Sequence, residues 1–330
     1  MNRPVRTVLG DLPAEHLGRT DYHEHLLQVS PLLVGDELDD VDRSAEEAAL
    51  LRDSGFDALV ELTPIGLGRD PRAVREISRR TGIHVIMATG VHREAHYPQD
   101  HPLRRVDPED LADRFVREIE DAVDADETGV GPSSPVAGVR AGVIKVGVGY
   151  WSISPFERSI LEAAASAQHR SGVAVVCHLE MGTAGFEVLE VLTAAGVPAD
   201  RVVLAHADRN PDPGLHRELC ATGAYLGYDG PGRAKYWPDS VLIDCLITVA
   251  ETGGSDRLLL GGDVARRSSF RSYGGLPGMA YLGQRFVPRL TAAGGETLVH
   301  QVLVTNPATV LALEPRETGT TATNLRRRSA

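Results

Sequence analysis

One pattern recurs along the chain: an amphipathic stretch with helical spacing closes at a glycine, and a short apolar, β-branched run follows. The runs are 56–63 after Gly55, 83–89 after Gly82, 143–148 after Gly142 and 173–178 after Gly172. Further on come 202–206, 224–228 after Gly223, and 258–263. With the segment ending at 22–25, this predicts about eight strands. Runs that are apolar on both faces and separated by helices indicate a parallel sheet covered by helices. Roughly eight units favour closing that sheet over leaving it open and doubly wound, so an α/β fold, a (β/α)8 TIM barrel, is predicted. A short N-terminal hairpin is expected to precede it.

Helix starts are marked as well. Asp70-Pro71, Asp107-Pro108 and Asn306-Pro307 each place a capping side chain before a proline at the first helical position. Ser154 and Glu157 add a capping box to the same device. No linker divides the chain. Residues 1–313 are read as one barrel domain, 128–136 as a Gly-, Pro- and Ser-rich loop, and 314–330 as a polar, disordered tail ending in Arg326-Arg327-Arg328.

Composition narrows the partners. Aromatics make up only 5%, so the core must come mainly from Val, Leu, Ile and Ala. A balance of 34 basic against 46 acidic residues, net −12, argues against nucleic acid, whose phosphates are held by clustered cations. No apolar stretch has the length of a signal peptide or a membrane span, and a cytoplasmic protein acting on a small molecule is expected. Cys177, Cys220 and Cys245 lack C-x-x-C spacing and read as reduced packing residues. Of the basic residues only Lys145 and Lys235 are lysines.

On a barrel the reacting groups stand at the C-terminal ends of strands, so the polar residues that end the apolar runs are the candidates. The first run ends in His23-Glu24-His25, where period-two alternation puts both histidines on one side. His178 and His206 each close a run, and Asp263 closes the last. Singly, each has an ordinary explanation: a barrel-mouth histidine satisfied by backbone, or a helix N-cap. Lys145 lies inside Val-Ile-Lys-Val, where an ammonium must be paired, neutralised or chemically modified. Arginine could replace it in an ion pair but not in amine chemistry. A Schiff-base lysine and a lysine carbamylated by carbon dioxide, acting as a bridging carboxylate, are the two chemical readings; the surrounding histidines favour the second. Jointly these residues supply nitrogen and oxygen ligands suited to zinc or a similar divalent ion.

The same residues resemble the phosphotriesterase and phosphotriesterase-like lactonase family of the amidohydrolase superfamily, over nearly the whole chain. The resemblance is carried by the segment Val5 to Gly10, His23-Glu24-His25-Leu26, Gly68-Arg69-Asp70, Thr89-Gly90 and Ile144-Lys145-Val146. It continues through His178, His206-Ala207-Asp208-Arg209-Asn210-Pro211-Asp212, Gly262-Asp263 and Asn306-Pro307-Ala308. It implies a binuclear metal-dependent hydrolase holding two divalent metal ions, zinc being the expectation. His23, His25 and Asp263 would hold the more buried ion, and His178 and His206 the more exposed one. Carbamylated Lys145 and a hydroxide would bridge them, with Asp263 as the catalytic proton acceptor. It also implies a homodimer.

Lactone or ester, phosphotriester and N-acyl amide hydrolysis all suit such a site, and the 206–212 segment resembles the lactonase side, while its Asn210-Pro211 also reads as a helix cap. Members that open phosphorylated sugar lactones resemble this chain in Lys235 and Arg266, which would grip a phosphate. Where they carry tyrosine this chain has Ser269, which leaves open another anionic group such as a carboxylate. Arg267 is read as binding carboxylates on the barrel rim. Tyr97, in the loop 92–101, is read either as a wall for a lactone or as loop packing. The expectation is hydrolysis of a small anionic lactone or ester, with the amide and phosphotriester reactions as alternatives. A barrel that binds ligand without turnover is the alternative of another class.

Overall fold

The computed structural model describes residues 3–126, 131 and 133–314. An antiparallel hairpin, β1 (Pro4–Thr7) and β2 (Gly10–Pro13), leads the chain. Eight parallel strands follow in chain order: β3 (Thr20–Glu24), β4 (Ala58–Glu61), β5 (His84–Gly90), β6 (Val143–Val148), β7 (Ala174–Leu179), β8 (Val202–Ala205), β9 (Tyr225–Tyr228) and β10 (Leu258–Leu260). All eight expected runs are strands. The sheet curls until its edges meet, where Asp263 N donates to His23 O at 2.7 Å and Gly262 N to Asp21 Oδ1 at 3.2 Å. Helices α1 (Val41–Asp53), α2 (Pro71–Thr81), α3 (Pro108–Glu120), α4 (Pro155–Ser171), α5 (Gly185–Ala194), α6 (Pro213–Ala221), α7 (Asp239–Val249) and α8 (Val287–His300) cover the outside, and α9 (Asn306–Leu311) ends the barrel.

Strand alternation divides the core into two layers. Ala58, Val60, Ile86, Ala88, Val143 and Val176 belong to an inner cluster, whereas Leu59, Val85, Met87, Ile144 and Val175 pack outwards with the helices. Val5 and Leu17 from the N-terminal segment, with Val310 and Leu311 from α9, join the inner cluster and close one end of the barrel. The C-terminal strand ends are left to form a cavity. Each buried Val or Leu contributes roughly 1.5–3 kcal/mol, which lets a core so poor in aromatic residues hold.

Asp70 and Asp107 cap α2 and α3, and Ser154 with Glu157 forms the capping box of α4. Gly82 and Gly172 end α2 and α4 in left-handed backbone, with φ of 71° and 75°. Three punctuation marks mean something else. Asn306 is not a cap: helical backbone runs into it from 305, and its amide donates to Ser255 O and Leu258 O. Gly142 ends no helix; a Cβ there would meet Arg6 O at 2.6 Å, so it lets the hairpin approach the barrel. The cap of α6 is Asp212, which accepts from Gly214 N and Leu215 N, and not Asn210.

Of the expected tail, Glu314 belongs to the fold, its N–H donating to Gly172 O at 3.3 Å. Residues 315–330 lie outside the described residues, as do 127–130 and 132 of the expected loop. The three cysteines are free and buried. Among the described residues, no helix is long and apolar enough to cross a membrane.

Candidate metal centre and active site

Lys145 follows Val143 on the inward face of β6, and Val176 leads to His178 on β7 in the same way. His206 stands one residue beyond β8, and a left-handed φ of 64° sets its direction. Asp263 lies three residues past β10 with φ of 48°, and no helix begins there for it to cap. On β3 the register against β4 shifts between Asp21 and Glu24. Within and just past that shift, His23 Nε2 and His25 Nε2 both face Asp263 Oδ1 at 3.5 Å. All six residues line one cavity of about 310 Å³ at the strand ends.

Each histidine turns one ring nitrogen to an outer partner and leaves the other facing the group. His25 Nδ1 lies 2.8 Å from Thr63 Oγ1, and His178 Nε2 lies 2.9 Å from Glu180 Oε2. Asp229 serves two rings at once, with His23 Nδ1 at 3.0 Å and His206 Nδ1 at 2.6 Å, and also accepts from the Tyr22 hydroxyl. The remaining nitrogens of the second pair, His206 Nε2 and His178 Nδ1, are 2.7 Å apart. Outer partners of this kind orient metal-ligating imidazoles and fix which nitrogen is free. Donor atoms of His23, His25 and Asp263 lie within 4.8 Å of one another, as do those of His23, His206 and Asp229. Asp229 is already engaged with the far side of both rings, so it acts as the orienting carboxylate.

Burial keeps these imidazoles neutral and able to offer lone pairs. It lowers His23 to about 3, with Lys145 adding to the effect, and His206 to about 4, with Arg209 adding; His178 and His25 are lowered as well. For Asp263, burial pulls upward, but Arg233 and His23 hold the carboxyl well below its usual range. Its Oδ2 accepts from Arg233 Nη1 at 2.6 Å and Arg209 Nη2 at 3.2 Å. Lys145 is 1% exposed and its Nζ has no hydrogen-bond partner among the described residues. Burial pushes its pKa from 10.5 down to about 8, which raises the neutral amine at pH 7 roughly 300-fold.

Lys235, Arg266 and Ser269 line the same cavity, the first two exposed and Ser269 half-buried. Arg266 has Asp36 Oδ2 at 4.0 Å, and among the described residues Lys235 has no ion-pair partner, only the Tyr236 ring at 5.0 Å. Arg267 turns to Asp39 at 2.8 Å and the carbonyl of Glu37. Tyr97 is not a wall: it is 1% exposed and packs the loop, donating to Ile65 O and accepting from His92 N. The imidazoles of that loop which do reach the cavity are His92 and His96. These two, together with Asp229, Arg209, Arg233 and Glu180, were not assigned from sequence. Asp229 directly follows β9 and obeys the strand-end rule that found His178 and His206. The arginines stand in loops, where no periodicity says which way a side chain turns.

Comparison with known proteins agrees with this geometry. The sequence profile of the Phosphotriesterase family matches residues 3–311. A phospho-furanose lactonase of Mycoplasmopsis synoviae (strain 53) is 33% identical over 96% of this chain and 93% of its own length. An N-acetyltaurine hydrolase of Danio rerio is 28% identical over 92% of this chain and 96% of its own. Among solved structures, a lactonase from Listeria monocytogenes superposes with a TM-score of 0.86 at 29% identity, covering 94% of this chain and 100% of that one. The barrel, its strand-end histidines and these matches along almost the full length lead to one assignment: the chain belongs to the phosphotriesterase family and is a hydrolytic enzyme.

Proposed function

We propose that the enzyme is a binuclear metal-dependent hydrolase that opens small anionic lactones. The observation that carries the reading is the unpartnered Lys145 Nζ, buried among four oriented imidazoles at the base of a cavity whose rim holds Lys235 and Arg266. The donors fit two divalent cations, with zinc suited to this nitrogen-rich set. His23, His25 and Asp263 would hold one, His178 and His206 the other, and carbamylated Lys145 both. Bound there, the cations would supply Lewis acidity and a water acidified enough to attack near neutral pH.

The chain's own residues do the rest. Lys235 and Arg266 hold the substrate's anionic group and so place the lactone carbonyl over the histidine cluster. Asp263, kept ionised by Arg233, accepts the proton of the attacking water and returns it to the ring oxygen as the ester bond breaks. The product is a hydroxy acid. Support for a lactone comes from the phospho-furanose lactonase and the Listeria lactonase. The N-acetyltaurine hydrolase supports a second reading, in which the same rim takes the acid group of an N-acyl amide.

The test is a panel of phosphorylated and carboxylated lactones, neutral lactones, N-acyl amino acids and a phosphotriester, assayed after chelation and after readdition of zinc or manganese. The expected result is metal-dependent turnover with the highest kcat/KM on anionic lactones. Metal-dependent turnover confined to amides or triesters would overturn the substrate assignment, and no turnover of any compound would leave a ligand-binding barrel.

A further inference from the structure

Beside the cavity just described a second one, of about 490 Å³, opens between the loops that follow β6, β7 and β8. Glu180 and Arg209 line both, so the two chambers share a wall. The second chamber is otherwise lined by Tyr150, Trp151, Met181, Thr183 and Asn210.

Its aromatic lining is exposed, and part of the lining is held in strained backbone. Tyr150 and Trp151 are each 61% exposed, with their rings edge to face at 6.4 Å, in a chain where aromatics are scarce. Trp151 and Met181 adopt left-handed backbone, with φ of 50° and 55°, which side chains other than glycine rarely tolerate. Such strain persists where the surroundings enforce it, and it concentrates at ligand sites. Here the enforcement is visible: Trp151 N donates to Thr183 Oγ1 at 3.0 Å, and that hydroxyl donates to Glu180 O at 2.7 Å.

One polar group at the chamber lacks a partner. With Asp212 capping α6, the Asn210 carboxamide makes no hydrogen bond among the described residues. The Glu180 carboxylate, by contrast, is engaged by Arg93 at 3.2 Å and by His178.

We propose that this chamber binds a sugar ring, so that the substrate is a lactone carrying a glycosyl group. An aryl group would call for a dry, apolar slot. This chamber instead combines two exposed aromatic faces with a free carboxamide. A pyranose matches that mixture, because its C–H face packs on an aromatic ring while its hydroxyls take hydrogen bonds at the edge. The lactone end rests on the function proposed above and lies in the first cavity. Water adds across the lactone ester bond to give a carboxylate and a hydroxyl, and the glycosidic bond is untouched.

Trp151 and Trp237 are the chain's only tryptophans, so Trp237→Phe leaves Trp151 as the sole indole reporter. The protein as isolated is titrated with lactobionate, an aldonate bearing a galactosyl ring, with gluconate, which lacks the ring, and with 3-phenylpropionate. Lactobionate is expected to change Trp151 emission saturably while gluconate at the same concentration leaves it unaltered. Adding Asn210→Ala is expected to weaken lactobionate about tenfold, the size of one lost hydrogen bond. No saturable change with lactobionate, an equal response to gluconate, or undiminished binding in the Asn210→Ala variant would each overturn the proposal. A response to 3-phenylpropionate with lactobionate silent would replace the sugar by an aryl group. The readout needs no turnover, so failure of the lactonase assay and failure of this site are separately visible.

Discussion

Lys145→Met is expected to change the metal-free and the metal-loaded enzyme in opposite directions. In the metal-free protein the ammonium is buried without a hydrogen-bond partner among the described residues, and burial drives its pKa from 10.5 to about 8. That fall amounts to about 3 kcal/mol of stability lost at pH 7. The sign follows from proton counting: between pH 8 and 10.5 the unfolded chain holds a proton that the folded one has released, so stability rises with pH across that window. Methionine has nearly the same reach and nothing to desolvate, so it removes the cost while keeping the packing. Metal-free Lys145→Met should therefore be more stable than wild type by up to about 3 kcal/mol at pH 7, with the gap closing as the pH approaches 10.5. Urea unfolding of both proteins at pH 7 and pH 10 measures it. With zinc the order should reverse, because the wild type alone should bind about two metals per chain and gain stability from them. A short-chain carboxylic acid should partly restore metal to Lys145→Ala. A metal-free Lys145→Met protein less stable than wild type at pH 7, or a gap independent of pH, would show that the structure satisfies this amine and would refute the argument that it is kept for its chemistry.

Asp229→Asn keeps the shape but loses the carboxylate shared by His23 and His206; metal affinity should fall about 10- to 100-fold, read by competition with a chromogenic chelator, with the fold intact by circular dichroism. The metal-free protein should lose stability as pH falls below 6.5, where unfolded histidines take up protons that His23 and His206, lowered to about 3 and about 4, refuse. The slope should approach about 1.4 kcal/mol per pH unit for each, and chemical unfolding between pH 6.5 and 4.5 checks it; a flat profile would contradict it. Lys235→Ala and Arg266→Ala should each lower kcat/KM for anionic lactones about tenfold or more and alter neutral lactones little; equal losses on both would remove these residues from anion binding.

What was legible in the sequence followed from short-range rules, and what was missed depended on where loops turn. Strand ends announce themselves because an apolar run must stop at a polar residue, and that alone located His178, His206 and Asp263. Asp-Pro pairs located helix starts because the cap and the fixed φ act within three residues. The same local reasoning misread Asn306 and left Asn210 as a cap, since whether an amide caps a helix or reaches Leu258 O depends on a strand far away in the chain. For Tyr97 the packing alternative holds over the wall: a loop tyrosine can face substrate or, as here, the carbonyl of Ile65, and sequence spacing does not distinguish the two. Asp229 was reachable by the strand-end rule, yet its role was not, because it works from behind two rings contributed by β3 and the end of β8. The ligand set is therefore readable one strand at a time. The carboxylates and arginines that orient and charge it become visible only when the barrel closes, and a search for function in related sequences should begin with the first residue after β9.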